Sequence, residues 1–291
     1  MANRDTESLE HPLQRFYTSV RPQPTFQWER YQQRDVLIID HPQCQAVFSR
    51  QGAQLLHFQP KGQKPWLWCA SQWPNVGAIR GGVPVCWPWV GRHPGEGGWP
   101  AHGWGRLLDW KLIDSQTHDA GVSLHWRLSL WDWQADLHAE LGQGMDLRLE
   151  TRHEDSEPCH FGHALHVYWR ISDIADVALE GLDGVQGYDE LSRSHCEQKG
   201  KLRVMGGCQR VFEHAGPLAL QDDAWSRRLS IDTSDSDSTV VWHPGNRPLL
   251  GVGGDEAQGF LRLEAVSGID DGLSLAPGQQ ARLSLQAQLM H

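Results

Sequence analysis

Long apolar runs are missing from this 291-residue chain: none reaches the roughly 18 residues that a bilayer-spanning helix requires. The opening MANRDTESLEHPLQRF lacks the basic and then apolar layout of a secretory signal, so a cytoplasmic location is expected. Clusters of lysine and arginine are also absent. With 26 basic against 36 acidic residues and a formal net charge of −10, a nucleic-acid or anionic-membrane partner is not expected, because such surfaces need concentrated positive charge. The six cysteines, Cys44, Cys69, Cys86, Cys159, Cys196 and Cys208, contain no CxxC pair and no metal-ligand spacing, which points to buried reduced thiols and no resident metal. No long segment repeats apolar residues with a 3.6-residue period, and no fixed sequence repeat is found, so helices should be few and short.

What is present is a succession of short alternating segments. DVLIID, CQAVFS, AQLLHF and WLWC follow one another from Asp35, each bounded by turn-forming or polar residues. In VSLHWRLSLW, Val122, Leu124, Trp126, Leu128 and Leu130 share one face while Ser123, His125, Arg127 and Ser129 share the other. MDLRLETRH repeats the pattern with Met145, Leu147 and Leu149 inward. SRRLSID, STVVWH, GFLRLEAV and QARLSLQAQL again show a period near two. The expected fold class is all-β, a large antiparallel β-sandwich. Residues 1–34 are polar and aperiodic and read as an N-terminal extension, leaving 35–291 as a single domain. The acidic run 232–238, DTSDSDS, reads as a solvated turn without the glycine and terminal glutamate of an EF-hand loop.

The stretch from Ile79 to Trp110 is different in kind. It holds five tryptophans and eight glycines, a mixture that makes a poor core but suits a binding floor: glycine lets backbone approach a ligand, and indole supplies flat apolar faces. Arg80, beside Gly81–Gly82, and Arg106, after His102–Gly103, are planar permanent cations suited to a carboxylate or phosphate. Ordinary surface charge and ordinary core packing are the competing interpretations for these residues. A second segment, Cys159 to Ile171, carries three histidines. Two-residue alternation turns His163 towards apolar Phe161, Leu165, Val167 and Trp169, the setting of a core histidine, and turns His160 and His166 to the face shared with Tyr168 and Arg170. The HxxHxxH spacing therefore cannot easily bring all three to one metal. In GFLRLEAV, Arg262 and Glu264 share a face, which on an arbitrary strand would be a surface ion pair.

RGGVPVCWPW at 80–89 followed by AHGWGR at 101–106 resembles the signature of the glucose-6-phosphate 1-epimerase (hexose-6-phosphate mutarotase) family, within the galactose-mutarotase-like superfamily. Further similar segments follow in the family's order: LHVYWRISDI at 165–174, GLDGVQGYDE at 181–190, VVWHPG at 240–245, GFLRLEAV at 259–266 and SLAPGQQ at 274–280. The resemblance covers most of the chain from Asp35 onward. It implies the supersandwich form of the β-sandwich, a sugar-phosphate ligand, His166 and Glu264 as the catalytic pair, and Arg80 and Arg106 as phosphate-gripping residues. Asp173 and Asp255 match family positions of less defined role. His102 would bond a sugar hydroxyl, and Trp87 or Trp89 would stack on the ring.

The implied chemistry needs few groups. Exchanging α and β anomers of an aldose requires a base for the C1 hydroxyl proton and an acid for the ring oxygen, with roles reversed on ring closure. A carboxylate and an imidazolium suffice, so no cofactor is expected, and a monomer is. Departures from the family pattern are Pro217, where relatives carry an aspartate five residues after a phenylalanine (here Phe212), and His243, where they carry asparagine. Either Glu213, Asp222 or Asp223 substitutes for the lost aspartate, or the site takes a different hexose. Two other functions fit the same residues: an epimerase for unphosphorylated aldoses, and a carbohydrate-binding or regulatory protein without turnover.

Overall fold

A computed structural model describes residues 11–17, 25–93, 95, 97–154, 156–253, 255–269 and 272–290. Two large antiparallel sheets and one smaller one dominate it. In the first, of seven strands, the order in space is Ser194–Glu197, Gln186–Asp189, Gly207–Phe212, Ser238–Pro244, Phe260–Ser267, His163–Arg170 and Val85–Cys86. The eight-stranded sheet runs Val177–Glu180, Pro217–Asp222, Arg227–Asp232, Gln280–Leu289, Met145–His153, Trp133–Leu141, Gly121–Leu130 and Lys111–His118. Phe26–Tyr31, Arg34–His41, Cys44–Ser49 and Gln54–Pro60 form a four-stranded meander.

The all-β expectation holds. Helical structure among the described residues is confined to three 3-10 turns, Gln14–Tyr17, Ile174–Asp176 and Glu256–Gly259, and no helix is long and apolar enough to cross a membrane. The alternation read from sequence is the alternation of burial: Val122, Leu124, Trp126 and Leu128, with Met145, Leu147 and Leu149, point into one core together with Leu165, Val167, Trp169, Leu261, Leu263 and Ala265 from the seven-stranded sheet. Burying these rows between two sheets is the main favourable term in holding the sandwich closed. WLWC contributes only isolated bridges, Leu67 to Trp169 and Cys69 to Gly81, rather than a strand.

Two parts of the stretch expected to be an N-terminal extension are built into the fold. Phe26–Tyr31 pairs with Arg34–His41 across residue 35, and Leu13 is fully buried against Val36, Ile38 and Val47. Residues 1–10 and 18–24 of that stretch lie outside the described residues. No disulfide joins the cysteines, and Cys44, Cys69, Cys86 and Cys208 are buried thiols.

The central strands of the seven-stranded sheet break the one-face rule. His163–Arg170 is buried at every position but its last, and Phe260–Ser267 at every position but Arg262. Their second face is covered by the glycine- and tryptophan-rich segment, which docks along them through backbone bonds from Tyr168 N to the Gly82 carbonyl at 2.9 Å and from His166 N to the Pro84 carbonyl at 3.1 Å. This covered face is where the polar residues lie.

Candidate active site

The register between the two central strands sets His166 directly opposite Glu264 and Tyr168 opposite Arg262. Facing residues on adjacent antiparallel strands have close Cβ atoms, and here the side chains meet: His166 Nε2 lies 2.9 Å from Glu264 Oε2. Glu264 Oε1 lies 2.6 Å from Arg262 Nη2, a charge contact, and Arg262 Nη1 donates to the Tyr168 hydroxyl at 3.3 Å. The guanidinium is sandwiched over the Trp242 ring, 4.2 Å from its centroid. His166 and Glu264 are 2% and 4% exposed, so neither charge is shared with bulk water, and each must be compensated by the other groups of the cluster.

That coupling sets the protonation states. Burial alone would lower the His166 pKa, but Cys86 and Glu264 overcome it and raise it to about 9. Burial alone would raise that of Glu264, but Arg262 and then His166 pull it down to about 2. The substrate-free site therefore holds an imidazolium against a carboxylate at neutral pH.

A cleft of about 630 Å³ opens over this cluster. His166, Tyr168 and Arg262 form part of its wall, joined by Arg80, His102 and Arg106, while Glu264 lies one layer deeper. Two buried glutamines hold the loops that carry the arginines. Gln54 Nε2 donates to the carbonyls of Ile79 and Gly81 at 3.1 and 2.6 Å, flanking Arg80. Gln51 Nε2 donates to the carbonyls of Arg106 and Gly77 at 3.0 and 2.9 Å. No protein acceptor is found among the described residues for the buried Nε of Arg106 or of Arg262. His102 adopts the left-handed backbone region, with φ of 65°, and its ring meets that of His166 edge-on at 4.9 Å between centroids. Gly103 makes this turn possible, since a Cβ there would stand 2.1 Å from the Trp87 carbonyl oxygen.

His166, Glu264, Arg80, Arg106 and His102 are thus brought together, and Trp87 and Asp255 are not. Trp87 is fully buried in the main core, with its indole N–H donated to Thr151 Oγ1 at 3.1 Å; a ring enclosed on both faces has no surface for a sugar. Trp89 belongs to a separate cavity of about 370 Å³, where it stacks on Trp99 with centroids 5.2 Å apart. Asp255 is exposed before the Glu256–Gly259 turn and lines no part of the cleft. Asp173 caps the Ile174–Asp176 turn, accepting from Ala175 N at 2.9 Å.

His163 is a fully buried core histidine, 3.4 Å from Thr151 Oγ1, with its pKa lowered to about 4 by burial. Pro217 is exposed at the start of its strand, and none of its suggested replacements lines the cleft. Asp222 is fully buried and accepts from Ser172 Oγ at 2.6 Å, while Glu213 and Asp223 are exposed. The 243 position is structural, since His243 Nε2 lies 3.0 Å from the Ala257 carbonyl oxygen. Sequence reasoning missed Tyr168 and Arg262 as cleft residues, although both had been placed on the right faces. It also missed Gln72, Trp73 and Leu250, which come from loops without periodicity.

Two buried groups of opposite charge thus lie beneath a cleft lined by Arg80, Arg106 and Arg262, on the outer face of an antiparallel supersandwich. The family model described as aldose 1-epimerase matches residues 35–288, and the chain belongs to that family; it is an isomerase of the mutarotase kind. A protein of Escherichia coli K12, provisionally named glucose-6-phosphate 1-epimerase, is 31% identical over 251 residues, spanning 81% of this chain and 83% of its own length. A Salmonella typhimurium protein with the same provisional name is 35% identical over 232 residues, covering 75% of this chain and 76% of that one. The crystal structure of a provisionally assigned mutarotase from Salmonella typhimurium superposes with a TM-score of 0.85 at 26% identity, covering 92% of this chain and 95% of that one. The fold is shared with galactose 1-epimerase from Lactobacillus acidophilus, with a TM-score of 0.71 at 13% identity over 91% of this chain and 98% of that one.

Proposed function

We propose that this protein interconverts the α and β anomers of a hexose 6-phosphate in the cytoplasm, with Glu264 as base, His166 as acid and Arg80 and Arg106 holding the phosphate. The carrying observation is the His166–Glu264 pair, 2.9 Å apart, beneath a cleft whose wall includes Arg80 and Arg106. In the free protein the pair is closed on itself. A sugar whose C1 hydroxyl and ring oxygen enter between the two groups replaces their mutual contact with its own. Separating them removes the stabilisation of both charged forms, so the Glu264 pKa rises and the His166 pKa falls. Each shift improves the group for its task, carboxylate as proton acceptor and imidazolium as donor. Glu264 takes the C1 hydroxyl proton, His166 protonates the ring oxygen, the C1–O bond to the ring opens, and rotation about C1–C2 presents the other carbonyl face for closure with the roles reversed.

The arginines give the reading its substrate class. A dianion gripped by two guanidinium groups gains attraction and a fixed orientation, in a protein whose net charge of −10 would otherwise repel it. The test is anomer exchange measured in parallel on glucose 6-phosphate, galactose 6-phosphate and free glucose. Arg80→Ala and Arg106→Ala should each lower kcat/KM for the phosphorylated sugars roughly 10- to 100-fold, the loss of one charged hydrogen-bonding group, and leave free glucose nearly unaffected. Equal loss on both sugars would contradict the phosphate assignment.

A further inference from the structure

Among the described residues, Cys86 is the thiol in contact with the acid–base pair, and ring opening as proposed leaves it unused. It lies on the edge strand Val85–Cys86, paired with Ala164, and is fully buried. Its sulfur is 3.4 Å from His166 Nε2, and Cys86, His102 and His166 each bring a ligand-type atom within 4.8 Å of the others.

The surrounding bonds fix where the protons sit. His166 Nε2 faces the Glu264 carboxylate at 2.9 Å; a carboxylate only accepts, so this nitrogen carries hydrogen. His102 Nδ1 accepts the backbone N–H of Gly91 at 3.2 Å, so the proton of its neutral ring is on Nε2. The Cys86 sulfur therefore meets the His166 Nε2–H, which it shares with the Glu264 carboxylate. The His102 tautomer speaks against a metal ion among these three residues, because the Gly91 N–H occupies the nitrogen that would have to carry the proton if Nε2 of His102 gave its lone pair to an ion.

Charge balance gives a second argument. The groups facing His166 are Tyr168 on its own strand, Glu264 and Arg262 on the neighbouring strand, Cys86 on the edge strand and His102 on the loop. Arg262 compensates Glu264 at 2.6 Å, which leaves the buried imidazolium one negative charge short. A thiolate at Cys86 completes a neutral quartet.

We propose that Cys86 is a resident thiolate and a positioning residue, holding His166 protonated and aligned for its role as acid. In support, burial would push the Cys86 thiol up, yet His166 and His102 together bring it down to about 5, whereas burial pushes the thiols of Cys44 and Cys69 up to about 12. The role rests on His166 serving as the acid; the charge state does not.

The experiment compares the full-length protein with Cys86→Ser, and with Cys86→Ala should the serine variant misfold. Ultraviolet thiolate absorbance at neutral pH should exceed that of the variant by one thiolate, and the difference should vanish on acidification through about pH 5. The imidazole 15N signals of His166 should titrate on the order of one pH unit lower in the variant, and the alkaline limb of the anomer-exchange rate should move down with them while KM changes little. No absorbance difference at neutral pH would overturn the thiolate. An unmoved His166 titration beside a clear thiolate signal would overturn the positioning role. The absorbance and 15N readouts hold without turnover, so an inactive wild-type protein would count against the proposed function alone.

Discussion

At the scale of residues, the contacts of His166 with Cys86 and Glu264 tie the protein's stability to pH. The His166 pKa lies at about 9 in the folded protein, above its ordinary 6.5. Its contribution is therefore complete below about pH 6.5 and is lost as pH rises through about 9. Glu264, held at about 2 instead of 4.5, contributes fully above its ordinary value and loses that contribution as pH falls through about 2. A thiolate at Cys86, brought down to about 5 from an ordinary 9, gains over the same range what His166 loses, so the wild-type Tm should stay nearly level between about pH 7 and 9. In Cys86→Ser the Tm should decline there, and adding His166→Gln should blunt that decline, because the group losing its proton is gone. A double variant whose Tm follows the Cys86→Ser curve in parallel over that range would show that His166 is not the titrating group.

At the scale of elements, what could be read from the amino-acid order was whatever repeats. Two-residue alternation identified several of the strands, among them Gly121–Leu130, Met145–His153 and Phe260–Ser267, placed Leu165, Val167 and Trp169 inward, and put His166 and Glu264 on the opposite face of their strands from that core. Loops carry no such period, so the contributions of Gln72, Trp73 and Leu250 to the cleft were invisible. Trp87 was misplaced because an indole suits a core and a sugar platform equally, and only the enclosing sheets decide between them. Asp222 offered a carboxylate near the right place in sequence, but its partner Ser172 is 50 residues away. The turn at His102–Gly103 was legible as a glycine motif, and its cause is steric. Gly103 has φ of +72° and no room for a Cβ beside the Trp87 carbonyl, so Gly103→Ala should destabilise the protein on the order of 1–3 kcal/mol. It should also depress kcat by displacing His102 and the backbone over the Cys86–His166 contact. Chemical denaturation with an assay on the folded fraction checks both; unchanged stability would mean that the turn relaxes without consequence.

At the scale of the whole molecule, the sandwich does two jobs with one sheet. Its inner face closes the hydrophobic core against the eight-stranded sheet, and its outer face, covered in part by the backbone of Gly82 and Pro84, buries His166 and Glu264 where opposite charges interact strongly. The net charge of −10 makes the cluster of Arg80, Arg106 and Arg262 around the cleft a local reversal of the protein's overall field, which should steer a sugar phosphate inward and weaken as salt rises. The central claim is that one carboxylate, Glu264, acts as the proton acceptor that opens the sugar ring. It is tested most directly by magnetisation transfer between the anomeric signals of glucose 6-phosphate, which reads exchange at equilibrium without coupling enzymes. Wild-type protein should accelerate exchange far above the spontaneous rate, and Glu264→Gln, folded to the same Tm within a few degrees, should lower kcat about 10²- to 10⁴-fold. Near-normal exchange in Glu264→Gln would contradict the account.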